Sequence, residues 1–228
     1  MDESVPAVAT GWGPAIFFVP HQDDETLTMG ADIAAHSRAG REIIVVQVTD
    51  GAESGVRAEM CAQQGICLTI PQFVAARNAE QLAAVQHLAP TARIEYANLP
   101  DNELTVATAS ALIAKYVTQY PTASFKTMSW LDNHADHRAL AYALRDMCPR
   151  IPRHDCRFEQ FHRYWMSMPI AGHFVPGSTA VLAAIDEYFV WNPDGGRYGI
   201  GTQSVLTDWA AERADPRSKY HQLPADSG

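Results

Sequence analysis

Two short segments of the sequence are dense in side chains that can bind a metal ion or move a proton. The first reads His21-Gln22-Asp23-Asp24-Glu25, and the second reads His134-Ala135-Asp136-His137-Arg138. In the first segment an imidazole is followed by two adjacent carboxylates. Two buried carboxylates side by side repel each other unless a cation compensates their charge. A divalent ion is the simplest such cation, so the first segment indicates a metal site.

The first segment can also be interpreted as the start of a helix. Neighbouring residues of a turn point in different directions, so His21 and one aspartate can bind an ion while the other aspartate stays free. A free carboxylate beside a metal site is a natural general base. An Asp at a helix start, however, can also accept hydrogen bonds from the free N–H groups there. On this segment alone, both interpretations remain open.

The second segment favours the metal interpretation. His134 and His137 are three residues apart at the start of a predicted helix, so both side chains project from one end of it. Asp136 is an acid that could orient one of the two imidazoles. The alternative is a polar loop with surface histidines. Two such segments together predict a zinc site with three nitrogen or oxygen ligands and one open position, and the lack of cysteine in either segment suits catalysis.

Alternating strands and helices must position these two segments. We predict strands at 15–19, 42–48, 94–97 and 125–130, and helices at 25–37, 75–88, 105–119 and 135–147. This alternation predicts an α/β fold, with a mostly parallel sheet covered by helices on both faces. The two segments follow the first and fourth strands. Because sites in open α/β sheets form beyond the carboxyl ends of the strands, we expect the two segments to meet.

The chain of 228 residues is expected to form a single domain. Its motif-bearing core should span 15–147, with a C-terminal extension over 148–228 packed on it. In that extension we predict a strand over 158–168, a helix over 178–189 and a loop after Trp191. The stretch from about Ser54 to Phe73 is predicted to be irregular.

Charge and hydropathy exclude several classes of partner. The formal net charge of −9 disfavours nucleic acid and anionic membrane surfaces, both of which bind clustered Lys and Arg. No run of about 18 apolar residues is present, so we predict no membrane span. A nucleotide-dependent dehydrogenase is disfavoured because no glycine fingerprint follows the first strand. Oligomeric state is not indicated by the sequence.

The four cysteines bear on the cellular compartment. Cys61 and Cys67 are near neighbours, as are Cys148 and Cys156. Local pairs of this kind could be loop-closing disulfides, which would favour secretion. Met1–Ser4 show neither a basic region nor a following apolar run, so no signal peptide is expected. We therefore expect four unpaired thiols and a cytoplasmic protein, with the disulfide-bonded secreted form as the alternative.

The two segments resemble the LmbE/PIG-L family of zinc-dependent N-acetylglucosaminyl deacetylases. The motifs of that family read His-Pro-Asp-Asp-Glu and His-Pro-Asp-His-Arg-Ala, and here Gln22 and Ala135 replace the two prolines. Lesser similarities to the family occur at 49–51, 77–80 and 99–102, and the match covers about residues 15–145 in the family's order. The resemblance implies a Rossmann-like three-layer sandwich. It does not extend to the C-terminal 80 residues, which leaves the substrate undefined.

The resemblance also implies roles for individual residues. The ligands of one Zn2+ per chain would be His21, Asp24 and His137, and Fe2+ is an alternative ion for them. Asp23 would be the general base that takes a proton from the attacking water. His134 would stabilise the oxyanion or protonate the leaving amine, and Asp23 could protonate that amine instead. Asp136 would hold His134 in the useful tautomer.

The function implied by the resemblance is zinc-dependent hydrolysis of an amide. The enzyme would remove an N-acetyl or other N-acyl group from a small or glycoconjugate substrate that contains an amino sugar. Arg77 and Asp101 would contact that substrate, although Arg77 could instead pair with Glu80 or Asp50, and Asp101 could form a turn. The alternatives are an amidase that cleaves a different amide of a sugar amine, and a catalytically silent, metal-containing sugar-binding module.

Overall fold

The protein is described by a computed structural model that covers residues 13–152, 155–167 and 170–223. The strands are β1 (Ala15–Val19), β2 (Ile43–Thr49), β3 (Arg93–Leu99), β4 (Ser124–Met128), β5 (Cys156–Glu159), β6 (His173–Val175), β7 (Trp191–Asn192), β8 (Arg197–Tyr198) and β9 (Ser218–His221). The α-helices are α1 (Asp24–Leu27), α2 (Gly30–Arg38), α3 (Val56–Gln64), α4 (Ile70–Leu88), α5 (Val106–Gln119), α6 (Ala135–Met147), α7 (Thr179–Tyr188), α8 (Ile200–Ser204) and α9 (Leu206–Ala214).

Seven strands form the main sheet, in the order β3-β2-β1-β4-β5-β9-β6. The first five run parallel, whereas β9 is antiparallel to both of its neighbours. Every residue of β1 and β2 is buried, as is typical of parallel strands covered on both faces. The predicted mostly parallel sheet is confirmed, with an antiparallel pairing added near one edge.

Two apolar clusters cover the two faces of the sheet. Phe17 and Phe18 are adjacent in β1 and therefore point to opposite faces. Phe17 belongs to a cluster that includes residues of α2, α4 and α7, and Phe18 belongs to one that includes residues of α5 and α6. Both phenylalanines are fully buried. The arrangement is a three-layer sandwich with helices on both faces, as predicted.

The predicted boundaries in the first half of the chain need two corrections. The helix expected over 25–37 is divided into α1 and α2. The stretch expected to be irregular contains α3 and the start of α4. Thr69 forms a capping box with Gln72, and Pro71 lies in the first turn of α4, so this helix begins earlier than its apolar stripe suggests.

The C-terminal region is more regular than predicted. The prediction of a strand over 158–168 is wrong beyond Glu159, because β5 ends there and a 3-10 turn follows at His162–Tyr164. The prediction of a loop after Trp191 is also wrong, since this part of the chain contains a β7–β8 hairpin, two helices and β9. The carboxylate of Glu80 on α4 accepts backbone N–H bonds from Ile200 (2.9 Å) and Gly201 (3.1 Å), which holds this region against the core.

Both local cysteine pairs form disulfide bonds. Cys61–Cys67 links α3 to the segment before α4, and Cys148–Cys156 links the end of α6 to the start of β5. The Cα atoms lie 4.3 Å and 6.2 Å apart, because the chain reverses direction between the two members of each pair. The expectation of four unpaired thiols is therefore wrong.

Two further expectations concern the chain terminus and the membrane. Met1–Ser4, on which the expectation about a signal peptide depends, lie outside the described residues. Across the three ranges given above, no helix combines the length and the apolar character needed to cross a membrane.

Candidate metal centre

The two sequence segments meet at one edge of the sheet. The strands that precede them, β1 and β4, are parallel neighbours, so their carboxyl ends lie side by side. A cavity of about 290 Å³ opens there, and its lining includes His21, Asp23, Asp24, His134 and His137. Both segments therefore contribute to the same concave site, as the fold prediction requires.

Three donor atoms in this cavity surround a common point. Nδ1 of His21 lies 3.1 Å from Nε2 of His137. Oδ2 of Asp24 lies 3.3 Å from the first nitrogen and 3.2 Å from the second. Tetrahedral zinc, with bonds of about 2.0–2.1 Å, places its ligand atoms about 3.3 Å apart. The three residues thus fit a tetrahedral metal ion with one position left open.

The other nitrogen of each ring faces a carboxylate. Nε2 of His21 lies 3.1 Å from Asp101 and 3.3 Å from Asp136, and Nδ1 of His137 lies 3.1 Å from Asp132. A carboxylate at that position favours a hydrogen on the nitrogen facing it. The lone pairs on the opposite nitrogens then point at the common point. Carboxylate, imidazole and metal in sequence is a recurrent arrangement at catalytic metal sites.

His21, Asp24 and His137 form a trio whose electrostatics favour a positive charge at the point between them. Burial would by itself lower the pKa of His137, but Asp24 and Asp132 raise that pKa to about 9. Burial would by itself raise the pKa of Asp24, but His137 and His21 hold that pKa well below its ordinary value. The carboxylate is thus ionised, and the site attracts a cation. A divalent ion would supply that charge.

Asp23 stands beside the trio in a strained backbone conformation. Its φ of 147° lies in a region that non-glycine residues rarely adopt, which is typical of functional sites. Burial raises the pKa of Asp23 to about 8, although the nearby Arg77 opposes the rise. Asp23 precedes α1 but makes no side-chain capping bond. The helix-cap interpretation of the first segment is therefore wrong for this residue.

Glu25 holds the backbone of Asp23 in place. Oε2 of Glu25 accepts the N–H of Asp23 (3.2 Å), and its other oxygen accepts hydroxyl hydrogens from Thr26 (2.7 Å) and Tyr188 (2.5 Å). The bond from Tyr188 ties the strained turn to α7. The bonds to Glu25 explain why a third acidic residue follows the two aspartates.

The structure corrects the expected role of Asp136. Its carboxylate accepts N–H bonds from Asn102 (2.9 Å) and Leu104 (3.1 Å) and faces His21, so it does not orient the ring of His134. The backbone N–H of Asp136 instead donates to Nδ1 of His134 (3.2 Å). The hydrogen of His134 is therefore on Nε2. Oriented in this way, His134 can donate a hydrogen bond to a bound substrate.

The two residues expected to bind substrate line the same cavity. Arg77 is buried and donates to the carbonyl oxygens of Gly51 (2.9 Å) and Gln22 (3.1 Å), and it lies 3.5 Å from Asp23. Besides facing His21, Asp101 accepts the N–H of Glu53 (2.9 Å). Both residues therefore position neighbours in the site, and their contact with substrate stays a prediction.

Three residues of the site were missed in the sequence. Asp132 precedes His137 in the second loop, and an acid so close to a candidate ligand was a usable signal. Phe161 stacks on His137, with ring centroids 6.0 Å apart and planes 13° apart. Arg163 lines the cavity with it. Both lie in the C-terminal region, where no sequence pattern marked them.

Solved structures with a similar fold include deacetylases and a hydratase. A40926 pseudoaglycone deacetylase Dbv21 is 18% identical, with a TM-score of 0.65 over 93% of this chain and 99% of that chain. The N,N'-diacetylchitobiose deacetylase of Pyrococcus horikoshii is 16% identical, with a TM-score of 0.60 over 92% and 84%. The 4-carboxy-2-hydroxymuconate hydratase GalB of Pseudomonas putida KT2440 is 16% identical, with a TM-score of 0.65 over 95% and 98%. At these identities the likeness shows the fold alone.

Family membership rests on the sequence itself. A search of curated proteins gives no match. The family model for PIG-L, described as GlcNAc-PI de-N-acetylase, matches residues 16–148, which include both loops of the candidate centre and more than half of the chain. The chain therefore belongs to the PIG-L family of GlcNAc-PI de-N-acetylases.

Proposed function

We propose that this protein is a zinc-dependent hydrolase that removes an N-acetyl or other N-acyl group from an amino sugar. The observation that carries the proposal is the trio formed by His21, Asp24 and His137, whose donor atoms lie 3.1–3.3 Å from one another. When bound, zinc supplies Lewis acidity that polarises an amide carbonyl and lowers the pKa of water. The family and the deacetylases that share the fold support an acyl group on nitrogen as the target.

Asp23 is the proposed general base. Its carboxylate lines the cavity next to the trio, and burial raises its pKa above the ordinary carboxyl value, which makes it a stronger base. Arg77 and the N–H bond to Glu25 keep it in position. In the proposed reaction Asp23 takes a proton from the attacking water. The same carboxyl group could then return that proton to the leaving amine.

His134 is the proposed donor to the reacting carbonyl. Its ring centroid lies 4.6 Å from that of His21 and 4.8 Å from that of His137, so it lies beside the trio in the cavity. With its hydrogen on Nε2, it can stabilise negative charge that develops on the carbonyl oxygen. His134 and Asp23 are both candidates to protonate the amine.

The silent sugar-binding module is less consistent with this site. A protein that only binds would need neither a strained, buried Asp23 nor an imidazole oriented by a backbone N–H. An amidase that cleaves a different amide would use the same residues. It would differ in the pocket for the acyl group, so comparing substrates that differ only in that group discriminates between the two enzymes.

Replacing Asp23 tests the catalytic proposal. Asp23→Asn keeps the shape of the side chain but removes the base, so we expect zinc to be retained and release of amine from N-acetylglucosamine derivatives to fall about 10²–10⁴-fold. Zinc content and amine release are measured on the same preparations. Asp146→Asn on α6, whose side chain is 61% exposed and does not line the cavity, is the control and should retain activity. Full activity of Asp23→Asn would refute the assignment.

The two disulfides lead us to propose an oxidising compartment for this protein. Structural disulfides persist outside the cytosol and are rare within it. Titration of thiols in protein taken directly from its native source tests this. Four reactive thiols after denaturation would contradict the proposal, and none would support it.

A further inference from the structure

An arginine from the C-terminal region stands at the cavity of the candidate metal centre. Arg163 follows β5 and lies outside the part of the chain that the family model matches. Its guanidinium lies 4.3 Å above the ring of Phe161, and Phe161 in turn stacks on His137. The cation is therefore one aromatic ring away from a proposed metal ligand.

The guanidinium of Arg163 is oriented from several sides. Nη1 lies 2.5 Å from Oδ2 of Asp208, a buried carboxylate in the first turn of α9. The ring of Tyr164 lies 5.1 Å away, in addition to that of Phe161. An arginine carries five N–H donors in a fixed plane, so one bond to Asp208 leaves others for a ligand. A carboxylate on one edge and aromatic rings against the face preorganise this arginine.

Arg163 differs from the other arginine of the cavity. Arg77 is buried and donates to two backbone carbonyls, whereas the side chain of Arg163 is 41% exposed. The lining of the cavity also includes three carboxylates outside the metal trio, those of Asp23, Asp101 and Glu53. An accessible cation at the edge of an acidic cavity selects an anionic part of a ligand.

We propose that Arg163 is a specificity-determining residue that binds an anionic group on the amino-sugar substrate. This inference rests on the proposed deacetylation and narrows its substrate to amino sugars that carry a carboxylate or a phosphate. The acylated nitrogen lies at the metal trio while the anion reaches Arg163. Asp208 holds the guanidinium in place and is a positioning residue.

Matched substrates test the proposal with the metal-loaded enzyme. N-acetylglucosamine is the neutral substrate, and N-acetylglucosaminuronic acid and N-acetylglucosamine 6-phosphate are the anionic ones, which also distinguish a carboxylate from a phosphate. We expect the wild type to favour at least one anionic substrate about 10-fold or more in kcat/KM. Arg163→Gln should lose about 10–100-fold on that substrate, mainly through KM, and change little on the neutral one.

A second arginine provides the control. Arg213 on α9 is 44% exposed, pairs with Asp186 and lies 5.3 Å from the ring of Phe189, but it does not line the cavity. Arg213→Gln should leave both anionic and neutral substrates unaffected. An equal loss on charged and neutral substrates in Arg163→Gln, or a wild type without preference, would overturn the proposal.

Binding separates failure of this inference from failure of the proposed function. Calorimetry in an Asp23→Asn background measures the Kd of each sugar without turnover. Tighter binding of an anionic sugar, lost about 10–100-fold on adding Arg163→Gln, would support the inference even if no substrate released amine. A Kd that depends neither on the charge of the sugar nor on the presence of Arg163 would refute the inference, whatever the activity.

Discussion

Oδ2 of Asp132 lies 3.1 Å from Nδ1 of His137, on the side of the ring opposite the nitrogen that faces His21 and Asp24. Asp132 also accepts the backbone N–H of His134 (2.8 Å). One buried carboxylate therefore faces the nitrogen of His137 that points away from the proposed metal position, which favours a hydrogen on that nitrogen, and it bonds the loop that carries the proposed hydrogen-bond donor. Asp132 therefore contacts both a proposed metal ligand, His137, and the backbone of a proposed catalytic residue, His134.

Replacing Asp132 should weaken metal binding. Asp132→Asn removes the charge that makes His137 more basic, so we expect a 10–100-fold loss of zinc affinity, as is usual when such a partner is lost. Competition against a chromophoric chelator measures the affinity. Asp146→Asn, on the exposed side of α6, is the control and should bind zinc like the wild type. An unchanged affinity in Asp132→Asn would contradict the arrangement.

His134 and Asp136 should affect different steps. Because the carboxylate of Asp136 faces His21, Asp136→Asn should weaken zinc binding. Its activity at saturating zinc should fall less than that of His134→Gln, for which we expect about a 10²–10⁴-fold loss with zinc retained. Titrating activity against free zinc separates the two. Equal losses at saturating zinc would instead support an orienting role of Asp136 toward His134.

His221 should make the protein less stable in acid. It is 1% exposed and packs against both Trp130 and Phe158, with Nε2 2.7 Å from Oγ of Ser129. Burial lowers its pKa to about 4, below the value of about 6.5 in an unfolded chain. The unfolded state therefore gains a proton first, and the contribution of His221 to stability is lost as the pH falls from about 6.5 to about 4.

The size of this effect can be measured by substitution. The free energy of unfolding should fall by about 2 kcal/mol between pH 7.5 and pH 5 from this group alone. Urea unfolding at both pH values should show a correspondingly smaller fall in His221→Gln, whatever its stability at pH 7.5. His87→Gln, on the exposed end of α4, should behave as the wild type does. The same fall in all three proteins would contradict the prediction.

The two disulfides provide a comparison of loop closure. Cys148–Cys156 closes a short loop between the fully buried ends of α6 and β5, so replacing both residues by Ala should lower the free energy of unfolding by about 2–3 kcal/mol. The matched replacement of Cys61 and Cys67, which lie nearer the surface, removes the bond that closes a loop of similar length. Chemical unfolding of both variants is the measurement. A buried-pair variant as stable as the wild type would show that the bond contributes nothing.

The core of the fold could be predicted because its strands are unambiguous. The apolar runs at 15–19 and 43–46 leave no polar face, which is typical of parallel strands covered on both sides. The sheet edge then determined where the two loops would meet. The C-terminal strands carried no such signal, since β9 is made of Ser218, Lys219, Tyr220 and His221. Their place in the sheet depends on pairing with β5 and β6.

The candidate site could be predicted in its chemistry but not in its hydrogen bonds. The spacing of His134 and His137 placed both side chains at one end of α6, where the structure has them. It did not show that the carboxylates of Asp136 and Asp101 both face Nε2 of His21, because both contacts depend on the loop after β3. Arg163 was not predictable, since it reaches the cavity through a region without a recognisable pattern.

Metal content tests the central claim most directly. Wild-type protein and Asp24→Ala are purified in parallel without added metal, offered zinc and measured by elemental analysis. The account predicts about one zinc per chain in the wild type and its loss in Asp24→Ala, with both proteins folded by circular dichroism. A folded wild type that binds no zinc, or an Asp24→Ala variant that binds it equally well, would contradict the proposal that His21, Asp24 and His137 form a metal centre.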